Sequence, residues 1–252
     1  MKRFYNILLT ALVVLSTAAF ASIDAKPLKK VVWPFEGVFG TFDRQAAQRG
    51  AQVYFQVCSA CHGLSHLYYR NLKDIGFSEA EIKQIASEKT VIDGPDDLGD
   101  MFERPASISD FFVGPYPNEE ASRAANNGAH PVDLSLIVKA RHDGANYVYS
   151  LLTGYQYPPE GFHLMPGLYY NSYFEGHQIA MPAPLTDDIV EYMDGTPATI
   201  SQMAHDVTIF LQWAAEPEME HRKSMGLKVL LFLVIFTLVF YIAKRKIWRG
   251  IE

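Results

Sequence analysis

Both cysteines of this 252-residue chain lie in the stretch Val57 to Leu64, VCSACHGL, and His62 directly follows the second. A disulfide between Cys58 and Cys61 would close a very small loop. A thioredoxin-type dithiol needs a βαβ context that the flanking sequence does not show. A structural zinc site wants four ligands, and the chain has no second cysteine pair. Cys-x-x-Cys-His is instead the attachment signature of a c-type haem. Cys58 and Cys61 are then the covalent anchors, by addition of their thiols to the haem vinyl groups. His62 is the proximal iron ligand.

An iron held by histidine on one side can take methionine, histidine or nothing on the other, and that choice separates electron transfer from ligand chemistry. Seven other histidines carry no distinguishing context. Two methionines sit in proline-containing loops: Met165 in HLMPG and Met181 in IAMPAPL. Prolines stiffen a loop enough to present a thioether without regular structure. Spacing favours Met181, shortly before the last helix of the polar region, and leaves Met165 open.

The elements that position this chemistry are mostly helical. Asp43 can cap a helix running through RQAAQRGAQVYFQVC. Gly50 lies in its middle, at a cost of about 1 kcal/mol relative to alanine, which suggests a closely packed second backbone. A partner helix is expected from Thr196 as cap and Pro197 as first residue. Its apolar residues Ile200, Met203, Ala204, Val207, Phe210, Leu211 and Ala214 follow helical spacing. The aromatic residue facing Gly50 would be Phe210 or Trp213. The long middle, 64–180, is rich in Gly, Pro, Tyr and Asn, with helical patches expected at SEAEIKQIASEK and DLSLIVKAR.

The two ends are apolar for other reasons. Lys2 and Arg3, the run Ile7 to Leu15, and Ala19-Phe20-Ala21 read as a cleavable export signal over residues 1–21. An uncleaved anchor is the alternative. Near the other end, 225–243 is long enough for a transmembrane helix, and Lys228 near its start can snorkel. Lys244, Arg245, Lys246 and Arg249 follow, which places the tail 244–252 on the cytoplasmic side. The exported region 22–224 is strongly acidic. Residues 22–223 hold 15 Lys and Arg against 27 Asp and Glu, a net charge of −12. That sign excludes nucleic acid as a partner and suits a basic protein. Asp93, Asp96, Asp97, Asp100 and Glu103 fall within eleven residues free of Lys and Arg. The signal and the single span point to a bacterial cell membrane with the haem domain in the periplasm.

Four segments carry a resemblance to a known family: RGAQVYFQVCSACH, RAANNGAHPVDLSLIVKARHDGANYVYSLLTGY, GLYYNSYFEGHQIAMPAPL and DGTPATISQMAHDVTIFLQWAAEPEMEHRKSMGLKVL. On these the chain resembles the cytochrome c1 family, the haem subunits of cytochrome bc1 complexes, in its bacterial form. The resemblance implies a mainly α, class I-like c-type cytochrome domain with long loop-rich insertions, followed by one C-terminal transmembrane helix. It implies one haem c with His62 and Met181 as axial ligands. Arg141 would pair with a haem propionate, and Tyr147 would sit at the haem edge. Asn126, Pro131, Leu151, Leu152, Phe174 and Pro184 would line the crevice. Val132 departs from the proline found there in many relatives. The implied role is relay of single electrons from a Rieske iron–sulfur protein to a cytochrome c, beside cytochrome b, with no bond-making catalysis in this subunit. Two other readings differ in partner or chemistry. A tethered cytochrome feeding a terminal oxidase would not co-purify with cytochrome b. A haem peroxidase or gas sensor would bind carbon monoxide at an open iron.

Overall fold

The computed structural model describes residues 26–250. The expected export signal, 1–21, lies outside the described residues. Helix α1, Arg44–Gln56, begins where Asp43 accepts hydrogen bonds from the backbone N–H groups of Gln45 and Ala46. It crosses α5, Ile200–Ala215, and this contact is the centre of the core. A Cβ placed on Gly50 would come within 2.1 Å of the Asp206 carbonyl oxygen and 2.8 Å of the Phe210 Cβ. The aromatic neighbour of Gly50 is therefore Phe210, whose ring also packs 5.7 Å from Tyr54. Trp213 packs against Phe210 in turn, at 5.6 Å.

A buried ion pair fastens the same crossing. Asp206 is fully buried and accepts from Arg49 Nε at 2.7 Å. Burial alone would raise its carboxyl, but hydrogen bonds from His205, Arg49 and Gln202 hold it below the usual range. The N-terminus of α5 differs from the expected one. Thr199, not Thr196, is the cap, and its hydroxyl accepts from the Gln202 N–H. Pro197 precedes the helix in extended chain, because the Asp187 carboxylate takes the Ile200 N–H and sets the entry.

Between α1 and α5 the chain is loop-rich, as expected. A 3-10 turn, Cys58–Ala60, is followed by a 3-10 helix, Tyr69–Ile75. Helix α2, Glu79–Ser87, carries a capping box between Ser78 and Glu81. The antiparallel ribbon β1, Thr90–Asp93, and β2, Phe102–Pro105, comes next. Helix α3 is Glu119–Ala125 and α4 is Gly144–Leu152. The expected helix at DLSLIVKAR is instead a series of turns. The Leu134 N–H donates to the Gly63 carbonyl and the Ser135 N–H to the Asp133 carboxylate, and the first of these draws this chain against the cysteine loop. A short ribbon, β3 (Tyr169–Tyr170) with β4 (Gln178–Ile179), lies between the two candidate methionines.

After α5 only Glu216, Pro217 and Glu218 intervene before α6, Met219–Trp248. Pro217 cannot continue a helix, so the break falls there. Among the described residues, α6 is the one helix long and apolar enough to cross a membrane, and its apolar window has no buried residue. It is longer than the expected span of 225–243, because its first turns belong to the globular part. Met219 is buried in the core, and Arg44 forms a bidentate pair with Glu220.

Candidate haem-binding site

The Cys58–His62 segment follows α1 as a tight turn: the N–H groups of Cys61 and His62 both donate to the Cys58 carbonyl. The turn places both thiols on one short segment, and they remain free of one another. Cys58 packs against the hydrophobic core, and burial pushes its thiol up to about 12, with the Cys61 sulfur adding to the shift. Two thiols on one turn with the imidazole directly after them fit thioether attachment of a single haem.

His62 is held from the opposite strand of chain. Its Nδ1 lies 2.7 Å from the Val132 carbonyl oxygen. A carbonyl can only accept, so Nδ1 carries the proton and Nε2 presents its lone pair, as a metal-ligating imidazole requires. Burial, the dominant influence, depresses the imidazole pKa and favours the neutral ring, against opposing effects of the Val132 carbonyl and Asp133. The loop is strapped further by Leu134 N–H to the Gly63 carbonyl at 2.9 Å and Ser65 N–H to the Asp133 carboxylate at 2.9 Å. Tyr54, from α1, donates its hydroxyl to the His62 carbonyl at 3.1 Å.

An open cleft of about 230 Å³ borders this turn and is lined by Cys61 and Pro131 among others. Asn126 braces its wall by donating to the Tyr116 hydroxyl at 3.1 Å and the Ser122 carbonyl at 2.7 Å. A second cluster gathers around Met181. Tyr155 donates its hydroxyl to the Met181 carbonyl at 3.1 Å. Burial of the phenol raises the pKa of the half-buried Tyr155, and Tyr147 lies close enough to add to the shift. The Arg141 guanidinium lies 5.9 Å from the centre of the Tyr147 ring, is exposed, and has no carboxylate partner among the described residues.

Leu151 and Leu152 end α4. Leu152 packs on the core, and the Leu151 carbonyl accepts from Asn171. Phe174 precedes a single 3-10 turn, and Pro184 is half-buried. Hydrogen bonds among the described residues do not join these four to the Cys58–His62 turn. Met165 is 52% exposed, whereas Met181 is half-buried. Residue-by-residue reading missed Tyr54, Asp133 and Tyr155. Asp133 and Tyr155 act on backbone groups distant in sequence, and Tyr54 reaches across the turn to a main-chain carbonyl, a kind of acceptor that composition does not mark.

The arrangement thus offers two thiols on one turn, an imidazole with a fixed tautomer, and an unpaired guanidinium beside an aromatic face. The model of the Cytochrome C1 family matches residues 33–251. The chain is 49% identical over 246 residues to "Cytochrome c1 2, heme protein, mitochondrial" of Arabidopsis thaliana, covering 97% of this chain and 80% of that protein. It is 47% identical to "Cytochrome c1" of Rhodospirillum rubrum, covering 93% and 92% of the two chains. It is 48% identical to "Cytochrome b/c1" of Bradyrhizobium diazoefficiens, over 86% of this chain and 35% of that protein. With a match of this extent, cysteine turn and anchor helix included, the chain belongs to the Cytochrome C1 family.

Proposed function

We propose that the chain carries one covalent haem c and relays single electrons within a cytochrome bc1 complex, from a Rieske iron–sulfur protein to a cytochrome c. The observation that carries the reading is the His62 Nδ1–Val132 carbonyl contact beside two free thiols, which leaves Nε2 as a ligand with no proton to lose. Cys58 and Cys61 would hold the group as thioethers, with His62 and Met181 as its axial ligands. Tyr155 steadies the Met181 segment through its carbonyl. Arg141 supplies a permanent positive charge suited to a propionate, with Tyr147 beside it. Asn126, Pro131, Leu151, Leu152, Phe174 and Pro184 would form the crevice wall. When bound, such a haem supplies a one-electron iron couple whose potential is raised by Met/His ligation.

The relative named cytochrome b/c1 supports cytochrome b as the neighbouring subunit. Signal cleavage after Ala21, a periplasmic domain, a span within α6 and a cytoplasmic tail in a bacterial cell membrane complete the reading. The positive tail residues after Ala243 support that orientation.

Redox titration of variants tests the ligands. Met181→Leu should keep the covalent haem and lower its potential, while Met165→Leu should leave it unchanged. The reverse pattern would assign the ligand to Met165. The double change Cys58→Ser, Cys61→Ser should abolish attachment through acid–acetone extraction. Reduction of the haem by quinol in the purified complex should disappear when the Rieske subunit is removed. Undiminished reduction without it would overturn the pathway.

A further inference from the structure

The loop before α1 carries an apolar tip that neither the haem chemistry nor the core uses. Gly37 to Gly40 form a turn closed by the Gly40 N–H to the Gly37 carbonyl, with Gly37 at φ +73°. Its two central residues are Val38, 65% exposed, and Phe39, 82% exposed. The flanks are anchored. Phe35 and Phe42 are buried, pack 6.0 Å apart, and Phe35 stacks on Trp33 at 5.5 Å. The fold thus grips the residues on each side of the tip and turns two large apolar side chains outward.

Contacts with α6 fix where the tip lies. The Phe42 N–H donates to Glu220 Oε1 at 2.7 Å. Lys223 Nζ donates to the carbonyls of Gly40 at 3.1 Å and Phe35 at 2.6 Å. From Glu220 to Lys223 the helix advances about 4.5 Å toward the apolar segment. Over the same interval the loop backs from Phe42 to Gly40. The loop that carries Val38 and Phe39 is thus tied to the turn of α6 just before Met225 and Gly226, where the exposed apolar surface of the helix begins.

We infer that the Val38–Phe39 tip inserts into the outer boundary of the lipid bilayer, as a second membrane contact beside the span. The occupant follows from continuity with the lipid-facing surface of α6, on whose spanning the inference rests. Small apolar tips gain by entering the boundary between headgroups and acyl chains. The exposed Glu36 lies on the flank of the turn, outside its two central positions. Fixing the tip to α6 would set the height and tilt of the whole domain above the membrane.

Photocrosslinking in the full-length chain tests this. A p-benzoylphenylalanine is placed at Phe39 or at Val38, with Leu227, in the apolar segment, as the reference position. The chain is purified from membranes with its native subunits, set in phospholipid nanodiscs and irradiated, and the haem spectrum verifies the fold. Intact mass should rise by one phospholipid from both the tip and the Leu227 positions. Lipid adducts from Leu227 with only protein-subunit adducts from both tip positions, or none, would overturn the inference and leave the span intact. Absence of both lipid adducts and membrane-subunit adducts from Leu227 would overturn the spanning reading and the inference with it.

Discussion

The imidazole Nδ1 of His62 lies 2.7 Å from the backbone carbonyl oxygen of Val132, across seventy residues of sequence. The partner is main chain, so the side chain at 132 does not set the tautomer. The Val132 side chain is itself 43% exposed. Val132→Pro should therefore leave the haem absorption spectrum and midpoint potential unchanged. A shifted potential would mean that the side chain shapes the site directly.

Gly50 sits where α1 and α5 touch. Alanine would gain about 1 kcal/mol of helix propensity, but its Cβ would stand 2.1 Å from the backbone oxygen of Asp206. Relief requires moving one helix, not rotating a side chain. Gly50→Ala should destabilise by a net of about 1–3 kcal/mol, read as a lowered thermal midpoint in the circular dichroism of the purified protein. A raised midpoint would show that the crossing is looser than the geometry indicates.

The Arg49–Asp206 pair makes the fold sensitive to acid. The ordinary carboxyl value is 3.8, and the folded value of Asp206 is below it. Its contribution is complete above roughly pH 4 and is lost as pH falls through the lower folded pKa. Asp206→Asn leaves Arg49 paired with Asp194 alone and should cost about 1–3 kcal/mol at neutral pH, the range for a lost hydrogen bond to a charged group. It should also flatten the acid limb of stability measured by urea unfolding from about pH 5 down to about pH 2, a window that runs from above the ordinary carboxyl value to below it. An acid limb of unchanged slope would place the controlling carboxylate elsewhere.

The acidic cluster at 93–103 forms the β1–β2 ribbon and its tip. Arg104 pairs with both Asp93 and Asp110, which removes Asp93 from the free charge. Asp96 accepts from the N–H groups of Leu98 and Asp100 and shapes the tip. Asparagine keeps that acceptor. Replacing Asp96, Asp97 and Asp100 by Asn should preserve the loop and weaken the salt dependence of reduction of a basic cytochrome c, measured by stopped flow. Screening shortens from about 10 Å at 0.1 M to 3 Å at 1 M. A full salt slope in the triple variant would locate the steering field elsewhere.

The chemistry and the ends of this chain were local and so could be read directly. Cys58, Cys61 and His62 declare their role by adjacency. The anchor declares itself by a run of apolar residues that no soluble core would leave unrelieved. Asp43 as a cap and Gly50 as a contact point follow from rules that act within a few residues. The start of α5 did not, because the Asp187 carboxylate, thirteen residues away, decides which backbone N–H is first satisfied. The DLSLIVKAR segment has helical periodicity, yet it runs as successive turns tied at Leu134 to the distant Gly63 carbonyl. The tautomer of His62, the brace of Tyr155 on Met181 and the grip of Lys223 on the Gly37–Gly40 turn each join groups far apart in sequence. Residue types alone cannot specify such pairs, since the donors and acceptors are main-chain groups that every residue possesses. Tertiary packing selects among them by burying some away from water and leaving each with one partner in reach.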